Sequence, residues 1–195
     1  MEWILASASP RRKELFGELV EKFEIIPAKG EEIPPENCSP EQLVKALAMQ
    51  KAQEIASTAQ AAGKAVLGAD TVVALKGEVL GKPKDEADAV RMLTALSGRT
   101  HEVYTGVCFL YPCANGERKM QVSADCTRVT FYALTAEQID AYVATGSPMD
   151  KAGASGIQDG GLVEKIEGSF SNVVGLPVEL CRKMMEGKED VEISD

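Results

Sequence analysis

The chain has 195 residues, 45% of them apolar and 26% charged. A chain of this length buries roughly 70% of its unfolded surface, which excludes disorder, collagen and coiled coil as whole-chain readings. Thirty acidic against 21 basic residues give a net charge of −9, and that balance repels nucleic acid polymers and anionic lipid at long range. A small anionic ligand stays compatible with it, because a local cluster of Lys and Arg overrules the net charge within a Debye length of about 8–10 Å. The five cysteines (Cys38, Cys108, Cys113, Cys126 and Cys181) form no C-x-x-C, and with His101 as the single histidine no zinc constellation is expected. Reduced thiols fit the cytosol. Residues 1–8 hold a short apolar stretch followed, not preceded, by Arg11, Arg12 and Lys13. That pattern is neither a secretory signal nor a membrane span, so a cytoplasmic protein is expected.

In chain order, residues 3–6 read as a short buried strand. Ser9-Pro10 supplies an N-cap with proline at the first helical position, opening a helix to about Val20. Residues 23–27 read as a second strand and 28–38 as a Pro-rich acidic loop. Ser39-Pro40-Glu41-Gln42 is a capping box for a helix to about Thr58. The apolar run 65–75 predicts a central strand, and Lys76-Gly77 a tight hairpin into 78–80. Asp85 caps a helix ending near Ser97, with Gly98 as its stop. Residues 100–111 and 120–132 predict an antiparallel pair. Thr135-x-x-Gln138 opens a helix stopping at Gly146, residues 147–161 read as a Gly-rich loop, 162–166 as a last strand and 177–185 as a last helix. The tail, 187–195, is acidic and is expected to fray. Interleaved crossovers and hairpins predict an α/β fold on a mixed, bent β-sheet flanked by helices, with two lobes and an active-site cleft, over a single domain at 1–186.

Three stretches concentrate chemistry. At Ser7-Ala8-Ser9-Pro10-Arg11-Arg12-Lys13 two hydroxyls and three cations gather at a helix start, where free N–H groups and the helix dipole favour an anion and arginine grips phosphate oxygens. A well-capped surface helix is the competing reading. Asp70 stands in the middle of an apolar run, where an ionised carboxylate is costly unless it is paired or binds a metal. Its plain alternative is a structural carboxylate that ends or kinks the strand after Gly68 and is tied to a buried lysine. Thr71 follows it, on the opposite face of a regular strand. Glu31, Glu32, Lys51 and Lys82 are individually bland; with Asp70 they make a mixed-sign pocket in which carboxylates hold a divalent ion and lysines hold phosphate. In residues 151–158 small residues let the backbone approach a ligand, and the Gln158 amide, donor and acceptor at once, suits a base edge. A flexible linker is the alternative there. His101, with no nucleophile motif beside it, is assigned a structural role. No G-x-G-x-x-G follows the first strand, which disfavours a dinucleotide oxidoreductase.

The runs LASASPRRKELF (5–16), GADTVV (68–73), GKPKD (81–85), LSGRTHEVYTGV (96–107), DKAGASGIQ (150–158) and NVVGLP (172–177) together resemble the Maf family of nucleotide pyrophosphatases, in the family's order and over nearly the whole chain. The resemblance implies a Maf/ITPase-like fold and hydrolysis of nucleoside triphosphates to monophosphate and pyrophosphate. It also implies a divalent metal, Mg2+ or Mn2+, and a cytoplasmic protein, often a homodimer. It places the proton acceptor on Asp70, the specificity positions on Arg12, Thr71 and Gln158, and the charged pocket on Arg11, Glu32, Lys51 and Lys82, with loop serines Ser7 and Ser9. Phosphate contacts are then expected from Ser7, Ser9, Arg11, Lys51 and Lys82, and metal ligation from Glu32 and Asp70. The Thr after the Asp and the Gly-Ile-Gln run are similar to the branch acting on dTTP and UTP. Two positions depart from the family: Ser155 replaces its usual tyrosine, removing an aromatic face worth about 1 kcal/mol when packed, and Asp159 stands where glycine is common. A nucleotide-binding regulator of septum formation without essential turnover is the alternative that the same resemblance carries.

Overall fold

In the computed structural model residues 1–187 are described; the tail expected to fray lies, Gly187 apart, outside them. Seven strands make one mixed sheet: β1 (Trp3–Leu5), β2 (Glu24–Ile25), β3 (Ala65–Leu75), β4 (Glu78–Leu80), β5 (Thr100–Pro112), β6 (Arg118–Phe131) and β7 (Val163–Glu167). The order is β2-β1-β3-β5-β6-β7, with β4 paired to β3 as well. The β2, β1 and β3 strands run parallel, and every other pairing is antiparallel. Among the described residues six helices accompany it: α1 (Pro10–Gly17), α2 (Pro40–Ala56), α3 (Glu86–Leu96), α4 (Ala136–Ala144), α5 (Phe170–Val174) and α6 (Val178–Met185). None is long and apolar enough to cross a membrane.

The caps form as the sequence implies. Ser9 accepts from the Arg12 N–H, and Ser39 and Thr135 each close a full capping box. Several boundaries shift by one or two residues, and three differences have a clear cause. Helix α1 stops at Gly17 rather than Val20, because the Leu19 and Val20 N–H groups both turn back to Phe16 O at a residue of low helix propensity. Strand β2 shrinks to two residues, since β1 offers only Ile4 and Leu5 as partners. The stretch 147–161 is a chain of three 3-10 turns (Ser147–Asp150, Ala152–Ala154, Ile157–Asp159), not an open loop. Helix α5 was not anticipated: five residues are too few to show a 3.6-residue period, although Ser169 caps it by accepting from the Asn172 N–H.

Strand alternation sorts the core. Leu5, Leu67 and Phe109 face α1 and α6, packing with Phe16, Leu180 and Met184. Their neighbours Ile4, Val66 and Cys108 face Ala48, Ala52 and Ile55 of α2. Toward the other end of the long strands, Val73, Val103, Val129 and Phe131 join α3 and α4 in a separate cluster. The two lobes expected from the sequence are these clusters at opposite ends of shared strands. His101 lies in the second, edge-on to Phe131 at a 4.8 Å centroid distance. Burial pulls its pKa down to about 4, so it is a neutral core residue at pH 7.

Candidate active site

The site lies at a break in the sheet. The β1–β3 ladder ends at Leu5–Leu67, and β4 joins the same edge of β3 only from Val73. Between them, residues 68–72 of β3 have a strand partner on the β5 side alone. Asp70 and Thr71 occupy this gap and point to opposite faces, as strand geometry requires.

On the Asp70 face, α2 lies almost on the sheet. A side chain on Gly68 would run into Ala48 O, and one on Gly106, the register partner of Asp70, into Val44 O. This close approach carries Lys51 over the carboxylate: its Nζ is 2.5 Å from Asp70 Oδ1 and 2.9 Å from Glu32 Oε1. Burial pushes the Asp70 carboxyl above its ordinary value, and the nearby charges of Lys51 and Arg12 only partly offset this. The structural alternative, a carboxylate tied to a lysine, is thus met in its geometry. Yet the strand runs through Asp70 unbroken, and Asp70 with Lys51 lines an open cavity.

On the Thr71 face the partners are mostly uncharged. Arg12 Nε donates to Gly175 O at 2.7 Å, Nη1 to Ser7 Oγ at 3.1 Å and Nη2 to Thr71 Oγ1 at 3.2 Å. Burial pulls the Arg12 pKa down, and Asp70 works against that; the group stays a cation at any physiological pH. The far wall comes from the second lobe: Gly81 and Lys82 after β4, and the turns at 150–158. Those turns are pinned by Asp159, which accepts from Tyr142 Oη at 2.6 Å and Ser147 Oγ at 2.7 Å, while Lys151 Nζ donates to Ser147 O at 2.7 Å. Burial alone would raise the Asp159 carboxyl, but those hydroxyls and Lys151 outweigh it and hold the pKa below its ordinary value. Its charge, unexpected in the family pattern, is spent on fastening the loop.

The enclosed space is about 490 Å3, within the range of small-molecule sites. Ser9, Arg11, Arg12, Glu32, Lys51, Asp70, Thr71, Lys82 and Gln158 all line it. Residues up to 149 positions apart in sequence thus converge (Ser9 to Gln158). Ser7 does not line the cavity; it stands behind Arg12 and orients it, which places it apart from the other residues expected to contact phosphate. Ser155 lines the cleft where the family pattern has tyrosine. Sequence reasoning passed over Thr105 and Asn172, both fully buried and both bonded into the Thr71 wall. For Thr105 the available signal was a polar residue inside an apolar strand, the same that singled out Asp70; Asn172, in the short helix α5, carried no such signal. Lys151 and Asp150, quoted as loop residues only, also line the cavity.

Arg11, Arg12, Lys51 and Lys82 share one cavity with the half-buried Asp70 carboxylate, on the mixed sheet of an α/β protein. Residues 2–188 match the family described as Maf-like protein, and the chain belongs to that family. It is 48% identical over 188 residues to the dTTP/UTP pyrophosphatase of Agathobacter rectalis, covering 90% of this chain and 91% of that one. It is 46% identical over 187 residues to the protein of the same name from Thermococcus gammatolerans, covering 94% and 95%. Among solved structures, the Staphylococcus aureus Ham1 protein aligns over 97% of this chain and 100% of its own, with a TM-score of 0.50 and 19% identity, a likeness of fold.

Proposed function

We propose that the protein hydrolyses dTTP and UTP to the nucleoside monophosphate and pyrophosphate. The observation that carries this reading is the single cavity whose lining brings Asp70, under Lys51, together with Arg11, Arg12, Lys82 and Gln158. Lys51, Lys82 and Arg11, with Ser9 at the α1 N-terminus, offset the charge of the triphosphate, and phosphoryl chemistry depends chiefly on such positioning and charge stabilisation. Lys51 occupies Asp70 Oδ1, which leaves Oδ2 to hold a water. Because burial raises its pKa, Asp70 is a stronger base than a solvated aspartate. Water attacks the α-phosphorus, the bond from that phosphorus to the bridging oxygen breaks, the proton passes to Asp70, and pyrophosphate leaves. No activated nucleophile stands in the cleft, so one in-line displacement suffices.

A divalent cation fits the donors present. No group of three His, Cys, Asp or Glu able to hold a metal exists among the described residues, but Asp70 and Glu32 converge on one point charge, Lys51 Nζ. Mg2+ is commonly held by one or two carboxylates, with phosphate oxygens and water completing its shell. Asp70 and Glu32 would hold Mg2+ or Mn2+, which when bound supplies further charge neutralisation at the phosphates. Thr71, Gln158 and Arg12 address the base. On the same reading the enzyme is a cytoplasmic homodimer. The test is product analysis: dTTP and UTP with Mg2+ or Mn2+ are expected to yield pyrophosphate and monophosphate. Orthophosphate instead, or equal rates with GTP, would overturn the assignment.

A further inference from the structure

Thr105 lies opposite Thr71 in the β3–β5 register and is fully buried. Its Oγ1 is 2.9 Å from Asn172 O and 2.9 Å from Thr71 Oγ1. A threonine hydroxyl has one proton and two lone pairs. The Asn172 carbonyl can only accept. It belongs to a fully buried residue, and the Leu176 N–H that a regular helix would bring to it goes to Ser171 O at 3.1 Å instead. Leaving a buried carbonyl unpaired is strongly disfavoured, so the Thr105 proton is committed to Asn172. Thr71 must then be the donor in the Thr71–Thr105 bond. Thr71 also accepts from Arg12 Nη2. What remains on Thr71 is a single lone pair and no proton.

We infer that Thr105 sets the polarity of Thr71, so that this wall of the cleft accepts a hydrogen bond from a base and selects pyrimidines bearing an N3–H, uracil and thymine, over cytosine, whose N3 carries a lone pair. The inference rests on the proposed placement of the base against Thr71. Arg12 completes the pattern. Of its five N–H groups three are engaged by Gly175 O, Ser7 Oγ and Thr71 Oγ1, and two are left for a ring carbonyl. Acceptor beside donor matches the N3–H and C=O edge of uracil and thymine. Cytosine meets it only by sliding until its exocyclic amine replaces N3. The Gln158 amide turns to suit either base; the Thr71 hydroxyl, its proton already committed, does not. Thr105 touches no substrate and acts through Thr71, as a positioning residue.

Equilibrium binding of the non-hydrolysable α,β-imido analogues of UTP and CTP, with Mg2+, tests this on the whole protein. The wild type is expected to favour the uridine analogue. Thr105→Val frees the Thr71 proton and is expected to narrow the uridine-to-cytidine Kd ratio at least ~5-fold, the scale of one mismatched hydrogen bond; Thr105→Ser restores it. A ratio unchanged in Thr105→Val, with both analogues weakened alike, means a merely structural role and overturns the inference, as does a wild type without preference. If Thr105→Val does not fold, Thr105→Cys, whose thiol is a weak acceptor, reads the same ratio. Preference in binding without pyrophosphate release sinks the hydrolase reading and spares this one; pyrophosphate from UTP with an unmoved ratio does the reverse.

Discussion

Asp70 and Thr71 are neighbours on one strand, yet their surroundings share almost nothing. Beside Asp70, one ammonium group sits between two carboxylates at 2.5 and 2.9 Å, and burial has moved the acid's pKa. Beside Thr71, a guanidinium and a chain of hydroxyls and carbonyls pass hydrogen bonds from Arg12 through Thr71 and Thr105 to Asn172. Charge acts over several ångströms and is nearly indifferent to direction, which suits a triphosphate. Hydroxyl chains hold each proton in one orientation, which suits a base edge. One strand serves both because its alternation sends adjacent side chains to opposite faces, and the unpaired edge at residues 68–72 lets both reach the same cavity.

The contrast predicts separable defects. Asp70→Asn is expected to cost the most, at least ~100-fold in kcat, the size of a lost positioned acid–base group. The loss should be equal for UTP and dTTP; a variant that kept near-normal turnover, or lost one substrate only, would break the division between the walls. Lys51→Gln is expected to lower kcat/KM at neutral pH at least ~10-fold, as for a removed charge-stabilising group. It also carries a signed pH effect. Lys51 is the largest influence pulling the Asp70 pKa down against burial. Without it the folded-state pKa climbs further, less carboxylate is present at a given pH, and the acidic limb of the kcat/KM profile moves to higher pH. A limb that stayed or moved down would show that Asp70 is not the titrating base.

The smallest effect is expected at Asp159. Asp159→Asn weakens the bonds that fasten the 3-10 turns to Tyr142 and Ser147, for about 1 kcal/mol of stability and under ~3-fold in turnover. The stabilising share of its charge has a definite sign. With the folded pKa below the ordinary value, the contribution is full above the unfolded pKa and fades as pH falls through the folded one. Thermal melts of both proteins should therefore converge in acid. Divergence there would remove Asp159 as the loop's anchor.

Much of this was legible locally. Ser9, Ser39 and Thr135 announce their helices by short-range capping chemistry, and the apolar run at 65–75 matches β3 residue for residue. Asp70 stands out because a carboxylate amid valines and alanines demands an explanation. Local signals fail where the partner is distant or the element short: α5 spans too few residues for a period, and the 3-10 turns between Gly146 and Gly160 look like any glycine-rich loop.

The sequence alone determined where most of the long helices and strands lie, the class of fold and the residue types able to meet a polyphosphate, because caps, alternation and lone buried charges are written within a few positions. Only the tertiary structure decided which of them meet. Arg12 finds Gly175 across 163 residues, and Thr71 finds Thr105 across 34. The pairing of Thr71 with Thr105 depends on the register of two strands, and the direction of the proton between them on an Asn172 carbonyl from a third element. Hydrogen-bond polarity is a property of the assembled network, since one proton's position is fixed by the demands of every acceptor around it.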